Sequence, residues 1–248
     1  MAIVWQSKQG STTYRVTQAG YAIRLYRNNV LHSQWNTNRP ISGKLWDLFL
    51  LSSLSVDCNI SKVLVLDAGG GAIVSLVHHF FPRAYIDAID LDQVHLYVAK
   101  KYFKTSQIYC RLIYANVQQW LKHHKNNNYD LIVDDVFAES NDVPYRSIFA
   151  HGQWTRALLK RLSRHGTLVI NFADKKEYLN SRKVWEVNNI IGRYQVAVAS
   201  HKSCDNRIVY VSKNDLSKKR LLQNLLACNA NNYLRYLKEG TFSHRKLR

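Results

Sequence analysis

The rhythm of apolar and polar positions changes character along the chain. Residues 13 to 36 carry β-branched and aromatic side chains in short runs, broken at Ala19-Gly20 and Asn28-Asn29. Gly and Asn tolerate the positive φ angles of tight turns, so this pattern predicts a small antiparallel meander. After Pro40, apolar Leu45, Leu48, Phe49 and Leu51 to Ser52 fall at helical spacing and predict a linking helix. From Lys62 the text becomes Val63-Leu64-Val65-Leu66, a continuous apolar run that suits a parallel strand buried on both faces. Gly69-Gly70-Gly71 ends it, and Ala72 to Phe81 reads as a helix stopped by Pro82. Tyr85 to Leu91 is a second strand, and Val94, Tyr97, Val98 and Tyr102 mark the next helix face. Gln107 to Tyr114, Val117 to His124 and Tyr129 to Asp134 read as strand, helix and strand. A helix from Ile148 to Arg164 is expected to close at Gly166, before a fifth strand at Thr167 to Phe172. Glu177 to Ile191, ended by Gly192, is the last helix of the alternation. Tyr194 to Ser200 and Arg207 to Ser212 then form a hairpin across Cys204-Asp205-Asn206.

Strand and helix alternate five times, which predicts an α/β fold with a mostly parallel sheet covered on both faces and a final antiparallel hairpin strand. The expected organisation is an N-terminal β region with its linking helix (1–58), a nucleotide-binding domain (59–214) and a basic helical C-terminal tail (215–248). Leu221, Leu222, Leu225 and Leu226 give that tail one apolar helical face.

Composition narrows the partners. With 248 residues and 46% apolar content the chain is long and apolar enough for a well-buried core, which excludes a disordered or low-complexity protein. The 35 Lys and Arg against 17 Asp and Glu leave a net charge of +18. That excess admits an anionic partner such as nucleic acid, and a solvated basic surface explains it as well; Lys218-Lys219-Arg220 and the terminal basic residues carry no recognition motif. Cys58, Cys110, Cys204 and Cys228 form no C-x-x-C pair, so neither a zinc ribbon nor a dense disulfide scaffold is expected, and a reduced, cytoplasmic setting is the simplest reading. The start, Met1-Ala-Ile-Val-Trp-Gln-Ser-Lys, has no basic region followed by an apolar stretch, and Leu45 to Val56 is interrupted by Asp47 and three serines. No signal peptide and no membrane span are expected. His78-His79 and His123-His124 have no usable ligand spacing, so no metal is expected.

In open α/β sheets ligands sit beyond the carboxyl ends of the strands. The first strand there ends in Asp67-Ala68-Gly69-Gly70-Gly71 and opens a helix. Such a turn lets a ligand approach the backbone closely, though an ordinary tight turn explains three glycines equally. The second strand ends in Asp90, nineteen residues after Gly71, where a carboxylate can accept both hydroxyls of an adenosine ribose. Val74 replaces the third glycine of G-x-G-x-x-G, which favours a ligand without a pyrophosphate, such as an adenosyl sulfonium. Asn116, after the third strand, either bonds an adenine edge or caps the next helix. Asp134 and Asp135 end the fourth; neighbouring residues of a strand face opposite ways, so one carboxylate can enter the site while the other reaches an adjoining loop.

These residues resemble the spermidine synthase family, in its S-adenosylmethionine-dependent methyltransferase-like, Rossmann-type fold. The resemblance is carried by the N-terminal β region with Gln34, by Val63 to Gly71, Ile86 to Asp92, Ala115 to Leu121 and Tyr129 to Asp135, and spans most of the chain. It implies that Asp67, Gly69, Gly70 and Gly71 belong to the nucleotide site, that Asp90 is the ribose acid, and that Asn116 stands where the family places its adenine-contacting Asp. It further implies that Asp135 faces the reacting amine and the aminopropyl arm, that Gln34, Glu139 and Tyr145 lie toward the acceptor, and that the protein is a homodimer. The implied reaction moves an aminopropyl group from decarboxylated S-adenosylmethionine to a polyamine amine. A sulfonium leaves as a neutral thioether and needs no acid, whereas an alkylamine of pKa about 10 must give up its proton, a task for Asp135.

Two departures bear on substrate. Ala72 stands where the family's Gly-Gly-Gly-Asp has its acid, and Ala138 stands at the second acid of its D-x-x-D loop, with Glu139 one position away. The same residues therefore fit a methyltransferase using ordinary S-adenosylmethionine, in which the amides around Gly70 and Gly71 accept the cofactor carboxylate. A nucleotide-binding protein without chemistry is a third reading. Nine acids lie between residues 67 and 142, so the sequence predicts an acid-rich crevice on a basic body, suited to a cationic sulfonium and a small amine acceptor.

Overall fold

The structure is a computed structural model that describes residues 1–51, 60–124, 128–140, 143–228 and 230–247. The expected continuation of the linking helix past Leu51, Cys58 and Asp142 lie outside the described residues.

The meander has four strands: β1 (Ala2–Gln9), β2 (Thr12–Ala19), β3 (Ala22–Arg27) and β4 (Val30–Asn36), paired antiparallel in chain order. Its turns use Gly10, Gly20 and Asn28, all at φ between 51° and 58°, the left-handed region that Gly and Asn enter most cheaply. A 3₁₀ turn at Leu45–Asp47 leads into α1 (Leu48–Leu51), whose four residues are all buried.

The alternating part follows as β5 (Lys62–Leu66), α2 (Ala72–Phe80), β6 (Tyr85–Asp90), α3 (Gln93–Lys101), β7 (Cys110–Tyr114), α4 (Val117–His123) and β8 (Tyr129–Asp134). A hairpin, β9 (Phe137–Ser140) and β10 (Val143–Arg146), precedes α5 (Gly152–Leu159). Next come β11 (Leu162–Phe172), α6 (Lys175–Val187), β12 (Gln195–His201) and β13 (Arg207–Ser212). The C-terminal residues fold as α7 (Lys218–Ala227), α8 (Asn231–Lys238) and β14 (Phe242–Lys246).

Eight strands form the main sheet in the order β14-β12-β13-β11-β8-β5-β6-β7. The five from β7 to β11 run parallel, and β13, β12 and β14 join antiparallel. This is the expected α/β, Rossmann-like architecture. Val63 to Leu66 and Leu131 to Val133 are wholly buried because helices cover both faces. One apolar layer, around Ile73, Val77, Leu221, Leu225 and Tyr233, lies on one side; the other gathers Trp120, Leu158, Phe172 and Trp185. Local signals fix the helix starts: Asp92, Asn116, Asp174 and Ser217 each accept a backbone N–H of the following turn.

Several elements differ from the sequence expectation. β1 had no periodic signature because it is an edge strand with little burial on either face. The helix expected over 148–164 is only α5, and Gly166 is inside β11 rather than a helix stop. A Cβ at Gly166 would stand 2.6 Å from the Tyr129 carbonyl, where the pairing of β11 with β8 is irregular between Leu162 and Thr167. Gly166→Ala is therefore expected to destabilise the fold by about 1–3 kcal/mol, checked by urea denaturation. Residues 137–140 and 143–146 pair as antiparallel strands, and the basic tail ends in β14, which pairs with β12. Within α7, Leu221 and Leu225 are buried but Leu226 is exposed. Cys110 and Cys204 are free thiols. Among the described residues no helix is long and apolar enough to cross a membrane.

Candidate functional site

The chain runs outward from β5 to β6 and β7, then returns to the other side of β5 with β8. The carboxyl ends of β5 and β8 are therefore the point where the strand order reverses, and a crevice opens there. A cleft of about 860 Å³ occupies it, bordered by the sheet ends, the meander and the β9–β10 hairpin. Asp67, Gly69, Asp90, Asn116, Asp135 and Glu139 all line it. Gly70, Gly71, Gln34 and Tyr145 do not.

The glycine turn is held from within. Gly69 and Gly71 have φ of 51° and 90°. The Gly69 N–H donates to Asp90 Oδ2 at 2.7 Å, the Gly70 N–H to Ser33 Oγ at 2.7 Å, and the Gly71 N–H to the Ala68 carbonyl at 2.9 Å. A Cβ at Gly70 would meet Ser33 and Phe103 at about 3 Å, and one at Gly71 would meet Thr105 at 2.8 Å. The expectation that the amides around Gly70 and Gly71 receive a ligand carboxylate is thus corrected: both are satisfied by the protein, and close packing requires the glycines.

Asp90 serves the same turn. Besides Gly69, it accepts the Asp92 N–H at 2.7 Å and faces His95 Nδ1 at 3.3 Å. Burial alone would lower the His95 pKa, but the Asp90 carboxylate overrides it and the net shift is upward. Asp92 caps α3 through Val94 and accepts the Tyr14 hydroxyl at 2.6 Å. Asp67, at φ 68°, accepts the Phe137 N–H at 3.0 Å. Burial, with Asp90 and Asp135 beside it, holds the Asp67 carboxyl well above the usual carboxylate range. Asp67, Asp90 and His95 present ligand-type atoms within 4.8 Å of one another. Asp90 and His95 spend theirs on each other and on the glycine turn, so the cluster reads as a brace.

Asn116 caps α4, its Oδ1 accepting the Gln118 and Gln119 N–H groups at 3.0 and 3.1 Å. That leaves its Nδ2 amide without a partner among the described residues, so capping and a contact to a ligand in the cleft are compatible. The paired acids divide as strand geometry requires. Asp134 is fully buried and takes Arg146 Nη2 at 2.8 Å and Trp154 Nε1 at 2.9 Å. Asp135 borders the cleft, with Oδ1 accepting from Asn171 Nδ2 at 2.8 Å. Burial raises Asp135 to about 7 against the opposing pull of Asn171 and Arg146.

Of the residues expected toward the acceptor, Glu139 and Gln34 are engaged by other side chains of the protein. Glu139 Oε2 meets Arg27 Nη1 at 3.1 Å and His32 Nε2 at 3.3 Å, tying the hairpin to the meander. Burial, with His95 and Arg27 nearby, lowers His32 to about 4, so it is neutral at physiological pH. Gln34 accepts from Arg24 Nε at 2.9 Å within the meander, and Tyr145 is exposed on β10. Ser33, His32, His95 and Arg27 all shape the cleft but escaped sequence reasoning, since they reach it only through the docking of the meander and α3.

No protein-family model matches the chain, and no curated protein matches it in sequence. Solved structures do. A probable spermidine synthase from Corynebacterium glutamicum ATCC 13032 superposes with a TM-score of 0.70 at 15% identity, over 91% of this chain and 88% of that one. Spermidine synthase from Thermotoga maritima gives 0.61 at 12% identity, over 88% and 75%. Human methyltransferase-like protein 13 in complex with SAH gives 0.59 at 20%, over 76% and 90%. The likeness is one of fold. The chain shares the α/β architecture common to spermidine synthases and methyltransferases.

Proposed function

We propose that this protein binds an S-adenosyl-type nucleotide in the 860 Å³ cleft and catalyses group transfer to an amine, with aminopropyl transfer from decarboxylated S-adenosylmethionine as the leading reading. The observation that carries it is the placement of Asp67 and Asp135 at the carboxyl ends of adjacent strands β5 and β8, both opening into the cleft. Residues 1–58 then supply one wall, 59–214 the nucleotide site, and 215–248 a buttress.

In this reading Asp67, Gly69, Asp90 and Asn116 hold the nucleoside, Gly70 and Gly71 shape the turn, and Asp135 is the catalytic residue. Attack by the amine nitrogen on the donor carbon forms the new C–N bond as the C–S bond breaks. The thioether departs with the bonding pair, and the amine proton passes to the Asp135 carboxylate. A carboxylate raised to about 7 is a stronger base than an ordinary Asp, and Asn171 keeps it oriented.

The second reading, methyl transfer from ordinary S-adenosylmethionine, is favoured by Ala72, which is buried and leaves no acid there to recognise an aminopropyl ammonium. Calorimetric titration with S-adenosylmethionine, its decarboxylated form and methylthioadenosine separates the possibilities. Tighter binding of the decarboxylated donor is the expected result. Preference for the ordinary form would replace aminopropyl by methyl transfer, and no heat from any of the three would remove the nucleotide site.

A further inference from the structure

Among the described residues five acids border the cleft: Asp67, Asp90, Asp92, Asp135 and Glu139. Their number suits a polycation, but their partners remove that property. Asp90 is taken up by the Gly69 and Asp92 amides and by His95, and Asp92 by the Val94 amide and the Tyr14 hydroxyl. Glu139 faces the Arg27 guanidinium, so its charge is balanced within the protein, although its Oε1 has no hydrogen-bond partner among the described residues. Asp67 has Asp90 and Asp135 as neighbours, and burial beside those two charges keeps it from ionising readily. Asp135 remains, held by the neutral Asn171 amide.

The wall on the Asp135 side is apolar. On β5, β8 and β11, Val65, Val133 and Val169 pack into the layer that holds Phe49 of α1 and Ile73 of α2, whereas Leu66, Ile132 and Ile170 pack into the opposite layer. Successive strand residues alternate faces, so Asp135, two positions after Val133, and Asn171, two after Val169, project on the Phe49 and Ile73 side. The 2.8 Å bond between Asp135 and Asn171, and the Asp135 N–H donated to the Leu66 carbonyl at 3.2 Å, carry this alternation past the end of β8. Phe49 and Ile73 border the cleft, as do Ala72 at the start of α2 and Leu45 and Trp46 of the 3₁₀ turn. Leu45 and Trp46 are partly buried against the same layer, which fixes their position. Asp47, the acid of that turn, is directed instead to the Gly43 and Lys44 amides.

A diamine acceptor needs a carboxylate for each of its ammonium groups, because an ammonium taken out of water without a counter-charge is strongly disfavoured. The cleft offers one such carboxylate, and an apolar wall on its side. An amine with a single nitrogen and an apolar body matches both. We propose that the acceptor is a lipophilic monoamine, its nitrogen at Asp135 and its alkyl or aryl body against Leu45, Trp46, Phe49 and Ile73, and that polyamines are poor acceptors. Ala72 belongs to this selection, since a carboxylate at that position would set a charge into the wall. The inference rests on the reading that the cleft transfers a group to an amine, and it holds for either sulfonium donor.

Calorimetric titration of the intact protein saturated with methylthioadenosine tests it, with phenylethylamine, butylamine, hexylamine and diaminobutane as probes, at pH 8, above the value of about 7 that burial gives Asp135. Phenylethylamine is expected to bind about tenfold or more tighter than diaminobutane, and each methylene from butylamine to hexylamine to add about fourfold, the transfer free energy of a buried CH₂. Trp46→Ala is expected to weaken phenylethylamine about tenfold with methylthioadenosine affinity unchanged, and Ala72→Asp to bring diaminobutane level with phenylethylamine. The wild-type series decides the question without either variant. Equal or tighter binding of the diamine by the wild type, or no gain with chain length, would overturn the proposal. So would a matching loss of methylthioadenosine affinity in Trp46→Ala, which would give the apolar wall to the donor. Heat from methylthioadenosine but from no amine would overturn the acceptor class and leave the nucleotide site standing, whereas no heat from methylthioadenosine would remove the nucleotide site and this proposal with it.

Discussion

Replacing Arg146 with methionine is expected to remove about 3–5 kcal/mol of stability, the cost of leaving a buried carboxylate without its cation. The Arg146 side chain is wholly enclosed and donates to Asp134 Oδ2, to the carbonyls of Asp134 and Ile148 and, at 2.7 Å, to that of Asn171. It therefore fastens the end of β10 to the ends of β8 and β11. In Arg146→Met, Asp134 would keep only Trp154 Nε1, since Asp134 Oδ1 already has no hydrogen-bond partner among the described residues. At about 2–4 °C per kcal/mol for a chain of this size, the melting temperature should fall by roughly 10 °C. Arg146→Met/Asp134→Leu should recover much of the loss by removing the stranded charge as well. A single-variant loss below about 1 kcal/mol in urea denaturation would show that Arg146 does not hold the hairpin.

The second large effect concerns Asp135. Asp135→Asn is expected to lower the transfer rate about 10²- to 10⁴-fold, the usual contribution of a positioned base, while donor affinity measured by calorimetry changes little. The wild-type rate should rise as pH passes about 7, because only the carboxylate accepts the amine proton, and this limb should vanish in the variant. Stability moves in the opposite direction. A carboxyl raised from 3.8 to about 7 favours the folded state when protonated, so its contribution is fully present below about pH 4 and lost as pH rises through 7. Melting curves at pH 5 and pH 8 should therefore show Asp135→Asn gaining on the wild type at the higher pH. An equal difference at both values would mean that the acid is not raised.

The parallel strands were legible in sequence because burial on both faces leaves a continuous apolar run, as in Val63 to Leu66 and Leu131 to Val133. Two edge strands were not: β1 exposes most of its residues, and β14 carries Ser243, His244, Arg245 and Lys246 where a central strand would be apolar. Gly166 read as a helix stop because local sequence cannot show that the Tyr129 carbonyl will lie against it. The acids at the strand ends were visible for a topological reason, since a parallel strand must deliver its last residue to the crevice. Their partners were invisible for the converse reason. Ser33 reaches Gly70 across 37 residues and Arg27 reaches Glu139 across 112, distances that only tertiary docking closes.

The two margins of the main sheet are chemically unequal. β14 occupies one with exposed Arg245 and with Lys246 tied to Asp215 at 3.1 Å, so another chain adding a strand there would meet charge along the edge. That strand acts as a gatekeeper against edge-to-edge aggregation. A truncation before Phe242 would uncover β12, whose Val196, Ala197 and Ala199 are buried, and would convert a protected border into a template for self-association.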